Sequence, residues 1–235
     1  MTTTVLKDLA FHIDLPRLMR KLRLKEGSRH VRDLQDLAGE AERIARPKVV
    51  YSLAYVQEKG EDYVIAGGVR LTSRVLRVNV EAAYRIFPYV ATCGTELAAW
   101  YRSQKDLLRQ FWAETIAELA LRTAKRALRE HLADRYQLHK LSSMAPGSLP
   151  DWPLEQQQYV FALLGDVEQK VGVRLTESLL MVPTKSVSGV VFPSESSFQS
   201  CQLCPRERCP GRRAVYDPDL YDRRYRMGVG AERVG

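Results

Sequence analysis

No stretch of this 235-residue chain approaches the roughly 20 consecutive apolar residues of a membrane-spanning helix, so no membrane partner is expected. The polar opening MTTTVLKDLAFHIDLPR has no apolar core of the kind a secretory signal needs, which predicts a soluble cytoplasmic protein. Histidine is scarce, at four residues (His12, His30, His131 and His139), and none pairs with another at metal-ligand spacing. None lies near a GxSxG-type nucleophile either, so the hydrolase signatures are missing. Gly67-Gly68 is followed by no phosphate-loop or dinucleotide pattern and reads as a turn. Cysteine is rare too, at four residues, and three of them fall together as Cys201, Cys204 and Cys209. That is a poor disulfide framework and a better metal or redox cluster for a reducing compartment.

What is present is a basic, mixed-charge chain with 36 Lys and Arg against 28 Asp and Glu, giving a net charge of +8. The surplus is spread over residues 16–48, 101–140 and 201–235, each with acids interleaved and without aromatic residues alternating among the cations. Solvated helix faces explain such a pattern, and a nucleic-acid platform is not expected. The length suits one sizeable core and is short for two ordinary domains.

Residues 5 to about 45 carry apolar residues at spacings of three and four (Leu15, Leu18, Leu22; Val31, Leu34, Leu37, Ala41, Ile44), predicting N-terminal amphipathic helices. Residues 48–53 and 62–66, joined by the charged loop EKGE, predict strands, as does the alternation around Leu71 to Leu76. Residues 83–92 predict a buried strand interrupted at Pro88. From Glu96 to His139 apolar pairs recur every four residues, the signature of one long core helix. Residues 142–153 hold three prolines and predict a constrained loop, which leads into a helix at Leu154–Leu164; residues 171–181 and 185–192 are short strand-like runs. Beyond Phe198 periodicity fades. The chain is thus expected to divide into an α+β body at 1–198 and an irregular cysteine-containing tail at 199–235.

Cys201, Cys204 and Cys209 form C-x2-C-x4-C, with a proline after the second and third thiols to stiffen the chain. Three thiolates want a fourth ligand, and Cys93 is the remaining cysteine; an iron-sulfur cluster or zinc is the expected occupant. On the long helix Glu118 stands one turn from Arg122, which reads as a surface ion pair or as a glutamate offered to a ligand.

The run Val171-Gly-Val-Arg-Leu-Thr-Glu-Ser-Leu-Leu-Met-Val-Pro-Thr-Lys-Ser-Val-Ser-Gly189, taken with Ala91-Thr-Cys-Gly-Thr-Glu-Leu97 and Ala145-Pro-Gly-Ser-Leu-Pro-Asp-Trp-Pro-Leu154, resembles the activation domain of cobalamin-dependent methionine synthase. The resemblance spans about residues 45–198. It implies a C-shaped α+β domain with a central antiparallel sheet that binds S-adenosylmethionine and methylates a reduced corrinoid on a partner. The implied partner is a corrinoid-binding methyltransferase, or a methionine synthase without its own activation domain, served by an electron-donor protein. The chain would then be an accessory part of that enzyme. Carried over by position, the ligand-binding residues are Glu118, Ser143, Ala145, Gly147, Ser148 and Phe198. The family's R-x-A-x-G-Y loop has become Ser143-Met-Ala145-Pro-Gly147-Ser148, which lacks the arginine that grips the ligand carboxylate, and Lys140 or Lys185 would have to serve. A non-catalytic docking module with a structural zinc clip is the alternative.

Overall fold

The computed structural model describes residues 2–195 and 198–226. Its centre is strand β6 (Arg85–Thr92), where every residue after Arg85 is buried. On one edge β6 pairs with β10 (Ser186–Pro193), which in turn pairs with β7 (Leu141–Met144). On the other edge lie β2 (Lys48–Ser52) and β3 (Ala54–Lys59), followed by β4 (Tyr63–Ala66) and β5 (Val69–Thr72), while β1 (Thr3–Leu6) pairs with β2. Every pairing is antiparallel. The fold is α+β, with a central antiparallel sheet and a long helix, as the sequence suggested.

Pro88 does not interrupt β6. The break falls in the partner strand, because β2 and β3 keep one register along β6, from Tyr51 opposite Tyr89 to Ala54 opposite Ile86. Ser52, which pairs with Thr3 on its other side, and Leu53 are not paired to β6 where they stand across from Pro88 and Phe87, and the proline has no N–H to give. Ser52 turns its hydroxyl to the Leu163 carbonyl at 3.1 Å instead.

Strand periodicity of two separates the side chains of the sheet onto two faces. Val50, Ile86, Val90, Val190 and Phe192 face a core closed by α3 (Arg74–Asn79), α6 (Gln157–Leu164), α7 (Val167–Val171) and Trp152. Val49, Tyr51, Phe87, Tyr89 and Val191 face the second half of α5 (Leu107–Tyr136), which supplies Ala124, Leu128 and Leu132 at intervals of one turn. The first half of α5 enters a separate helical core with α1 (Leu15–Leu22), α2 (Val31–Ile44) and α4 (Thr95–Ser103). Among the described residues no helix is long and apolar enough to cross a membrane.

Several local expectations give way to capping chemistry. The single helix expected from Glu96 to His139 is two helices, because Asp106 takes the Arg109 N–H at 2.8 Å and starts α5 afresh. The strand expected through Leu76 stops at Thr72, where Ser73 accepts from Leu76 N at 3.0 Å and begins α3. Residues 5 and 6, expected to open the helical region, belong instead to β1, and β3 occupies most of the stretch between the two strands first read from residues 48–66. Val167–Val171 is helical, and only Arg174–Leu175 (β8) and Met181–Val182 (β9) of the following run are strands.

The segment after Phe198 has little regular structure, a 3-10 turn at Ser200–Leu203 and the short α8 (Leu220–Arg224), yet it is anchored by burial. Phe198 and Tyr225 are 2% and 0% exposed and meet edge to face, with centroids 6.2 Å apart, inside the core that α3 closes. Asn79 Nδ2 donates to the Tyr225 hydroxyl at 3.1 Å, and Arg74 Nε donates to the Tyr225 carbonyl at 3.0 Å. Truncating either aromatic to alanine is expected to cost about 3–5 kcal/mol in urea denaturation, whereas Tyr225→Phe, which removes only a hydroxyl, should cost about 1 kcal/mol. A loss below about 1 kcal/mol for Tyr225→Ala would show that the segment is not docked.

Candidate functional site

The loop that follows β7 is held from within. Gly147 N donates to Trp152 O at 2.7 Å, Trp152 N to Leu149 O at 3.1 Å, and both the N–H and the hydroxyl of Ser148 donate to Ala145 O, at 3.1 and 2.6 Å. Gly147 has φ +77°, and a Cβ there would stand 3.1 Å from Leu154 Cδ1, so both its backbone and its surroundings favour glycine. The Asp151 carboxylate fastens the far side by accepting from Ser73 Oγ and from Val75 N, the latter at 3.1 Å. Ala145 is half-buried, and Gly147 and Ser148 are exposed on the rim.

Beneath the loop, β10 must come very close to β7. A Cβ on Gly189 would lie 2.4 Å from Met144 O, 3.2 Å from the Tyr89 ring and 3.3 Å from Ala145 Cα. This explains the glycine that ends the Ser186-Val-Ser-Gly189 run. Its two serines are tied inward, Ser186 Oγ to Thr92 Oγ1 at 2.9 Å and Ser188 Oγ to Gln157 Oε1 at 3.3 Å. Ser143 pairs with Val191 and therefore lies on the sheet face that looks toward α5.

Glu118 has both carboxylate oxygens engaged, Oε2 by Lys21 Nζ at 2.8 Å and Oε1 by Arg122 Nη2 at 2.6 Å. Partial burial works against its ionisation, but the hydrogen bonds and charges of these two cations outweigh it and hold the carboxyl below its usual range. Lys185 is ion-paired to Glu114 at 3.5 Å. Phe198 sits in the core against Tyr225, away from any open rim. The loop residues Ala145, Gly147 and Ser148 are thus brought together with Ser143 on one strand and turn, while Phe198 belongs to the opposite core.

The four cysteines do not converge. Cys93 is fully buried in the helical core with Leu97 and Trp100, whereas Cys204 packs against the core on the other side of the sheet. Among the described residues no group of three His, Cys, Asp or Glu side chains is arranged to hold a metal ion. The cysteine loop is instead stapled by Arg212, whose guanidinium donates to the carbonyls of Cys201, Cys204 and Ala214 at 3.1, 3.2 and 3.2 Å and to that of Arg206.

The thiols differ sharply. Burial pushes Cys93 up to about 12. Burial acts the same way on Cys201, but the backbone N–H groups of Arg213 and Ala214 and the Arg213 guanidinium outweigh it and hold that thiol below its usual value. A soluble thiol reagent at neutral pH should therefore label Cys201 before Cys93, which reacts only as the protein unfolds; peptide mass spectrometry checks the order. Linkage gives a second readout. The unfolded chain ionises Cys93 near pH 8.5 and the folded chain near 12, so the contribution of the neutral thiol is complete below about pH 8.5 and is lost between there and 12, at about 1.4 kcal/mol per pH unit. Cys93→Ser should flatten that part of the stability curve, and an unchanged slope would contradict the burial.

The signal missed in the sequence is the set of cations at Arg122, Lys125, Arg126 and Arg129, whose spacings of three and four put them on one helix face. Their spacing was visible, but their meeting with Arg213 was not.

The family model for the vitamin B12-dependent methionine synthase activation domain matches residues 125–208, which take in the second half of α5, β7 with its loop, β10 and the first two tail cysteines. Among solved structures, one titled "Crystal Structure of the MetH Reactivation Domain bound to AdoHcy" superposes with a TM-score of 0.58 at 18% identity, over 85% of this chain and 81% of that one. At that identity the likeness is one of fold. By matched sequence over residues 125–208 and by fold over most of its length, the chain resembles the activation domain of cobalamin-dependent methionine synthase.

Proposed function

We propose that this protein reactivates a corrinoid-dependent methyltransferase, with S-adenosylmethionine as the methyl donor to cobalt. The observation that carries this reading is the family match over residues 125–208, which falls on the Ala145–Trp152 loop and on the strand whose Gly189 packs under it. In this reading one electron from a donor protein reduces the partner's cobalt centre, the methyl group passes from sulfur to cobalt, and S-adenosylhomocysteine leaves.

The chemistry of the donor set fits a nucleoside better than it fits an amino-acid carboxylate. The loop presents exposed backbone at Gly147 and a small side chain at Ala145, which let a flat ring approach, but Ser143 has no guanidinium for a bidentate grip. Glu118 is ionised, and it could meet the positive end of the ligand only by releasing Lys21 or Arg122. Binding is therefore expected to be weak, short of the family's arginine-bearing loop by about 1.5–3 kcal/mol, the usual worth of a hydrogen bond to a charged group.

Calorimetry with S-adenosylhomocysteine should give heat at high micromolar to millimolar ligand, and Gly147→Val should abolish it while circular dichroism stays native. The decisive assay adds the chain, a strong reductant and S-adenosylmethionine to a cobalt(II) corrinoid protein from the same cell and follows the visible spectrum of the corrinoid. No methylation in that assay, together with no heat at millimolar ligand, would remove the reading.

A further inference from the structure

Three cations meet without an acidic partner on the face of α5 that looks toward the cysteine loop. Lys125 and Arg129 stand one turn apart and are half-buried, and Arg213 arrives from the tail. All three line one cleft, and the charges of Arg213 and Arg129 are felt both by Lys125 and by the buried Tyr89. Together with Pro210, Gly211 and the flanking Arg122 and Arg126 they line a cleft of about 690 Å³. Glu118 and Glu130 also line it, but Glu118 is held by Lys21 and Arg122, and Glu130 pairs with Arg126 at 3.8 Å. Among the described residues, Lys125, Arg129 and Arg213 have no carboxylate within ion-pair distance.

Such a cluster opposes folding. Like charges one turn apart repel, and partial burial removes the water that would screen them. Burial first, and then the neighbouring guanidiniums, hold both Lys125 and Arg129 below their ordinary values. The tail nonetheless adds a further cation here, and in a fixed orientation. Arg212 clamps the loop through its carbonyls, and the next side chain in sequence, Arg213, is left beside Cys201 and the cleft.

We propose that this cleft binds the phosphate group of a small molecule. A phosphate dianion offsets two of the three charges, and its oxygens suit the Lys125 ammonium, the Arg213 guanidinium and the donors that Arg129 keeps beside its bond to the Leu141 carbonyl at 2.6 Å. Glu118 is common to this cleft and to the residues carried over for the methyl donor, but that donor's sulfonium and ammonium outweigh its single carboxylate and suit Lys125, Arg129 and Arg213 poorly, so phosphate binding here does not rest on that reading. The cleft is open to solvent, and its volume is that of a small-ligand pocket.

The test uses the full chain and follows calorimetry and thermal unfolding with inorganic phosphate, with ATP, and with sodium chloride at matched ionic strength. Phosphate should bind and raise the unfolding temperature where chloride does not, and tighter binding of ATP would assign the phosphate to a nucleotide. Lys125→Met and Arg213→Met should each weaken phosphate binding by about 10- to 100-fold. Without phosphate both variants should unfold no earlier than the parent, because each removes a repelled charge; this separates loss of binding from loss of fold. No binding beyond the chloride control, equal binding by parent and variants, or binding of an acidic peptide in place of phosphate would each overturn the proposal.

Discussion

Strand β6 has neither a free edge nor a free face, and the placement of the other elements follows from that. Its two edges are taken by β10 and by the β2–β3 line, and its side chains alternate between a core closed by α3, α6 and α7 and a core closed by α5. A proline in such a strand is tolerable only if the neighbour gives way, and the lapse at Ser52 and Leu53 is where it does. β7 reaches the sheet only through β10, so the loop from Ala145 to Trp152 is suspended from the centre by two ladders and a glycine that lets them close.

The parts of this arrangement that were legible in the sequence are those where one periodicity rules. Residues 86–91 form an unbroken apolar run, and the four-residue repeat of α5 persists through two different cores. The parts that were not legible are decided by a single side chain or by a distant one. Ser73 turns an alternating run into a helix, and Asp106 divides an otherwise continuous one. In β3 the exposed Tyr55 and the charged Glu58 and Lys59 mask a strand as a loop. The tail read as irregular because periodicity was judged along the chain, whereas Phe198 and Tyr225 find their apolar surroundings, and Tyr225 its partner Asn79, far back in the sequence.

The same distinction separates the candidate site from its surroundings. The loop residues Ser143, Ala145, Gly147 and Ser148 were pointed out by the family resemblance of one continuous stretch, and the structure keeps them adjacent. The cysteines show the reverse. Three thiols close in sequence, with Cys93 as the remaining cysteine, suggested one centre, but Cys93 lies in the helical core while Arg212 fixes the loop that carries the tail thiols. The charge on α5 read as solvated because a helix face alone cannot reveal that a tail will cover it.

Helix α5 runs for 30 residues, about 45 Å, and is packed first into the helical core and then against the sheet. Neither half can open without exposing apolar surface that belongs to the other half's neighbours as well. The helix therefore ties the two cores into one cooperative unit, and the amide hydrogens along its buried stripe should exchange with solvent only through the same global event. Domain-by-domain melting is thereby denied to a chain whose helical and sheet regions would otherwise be free to part.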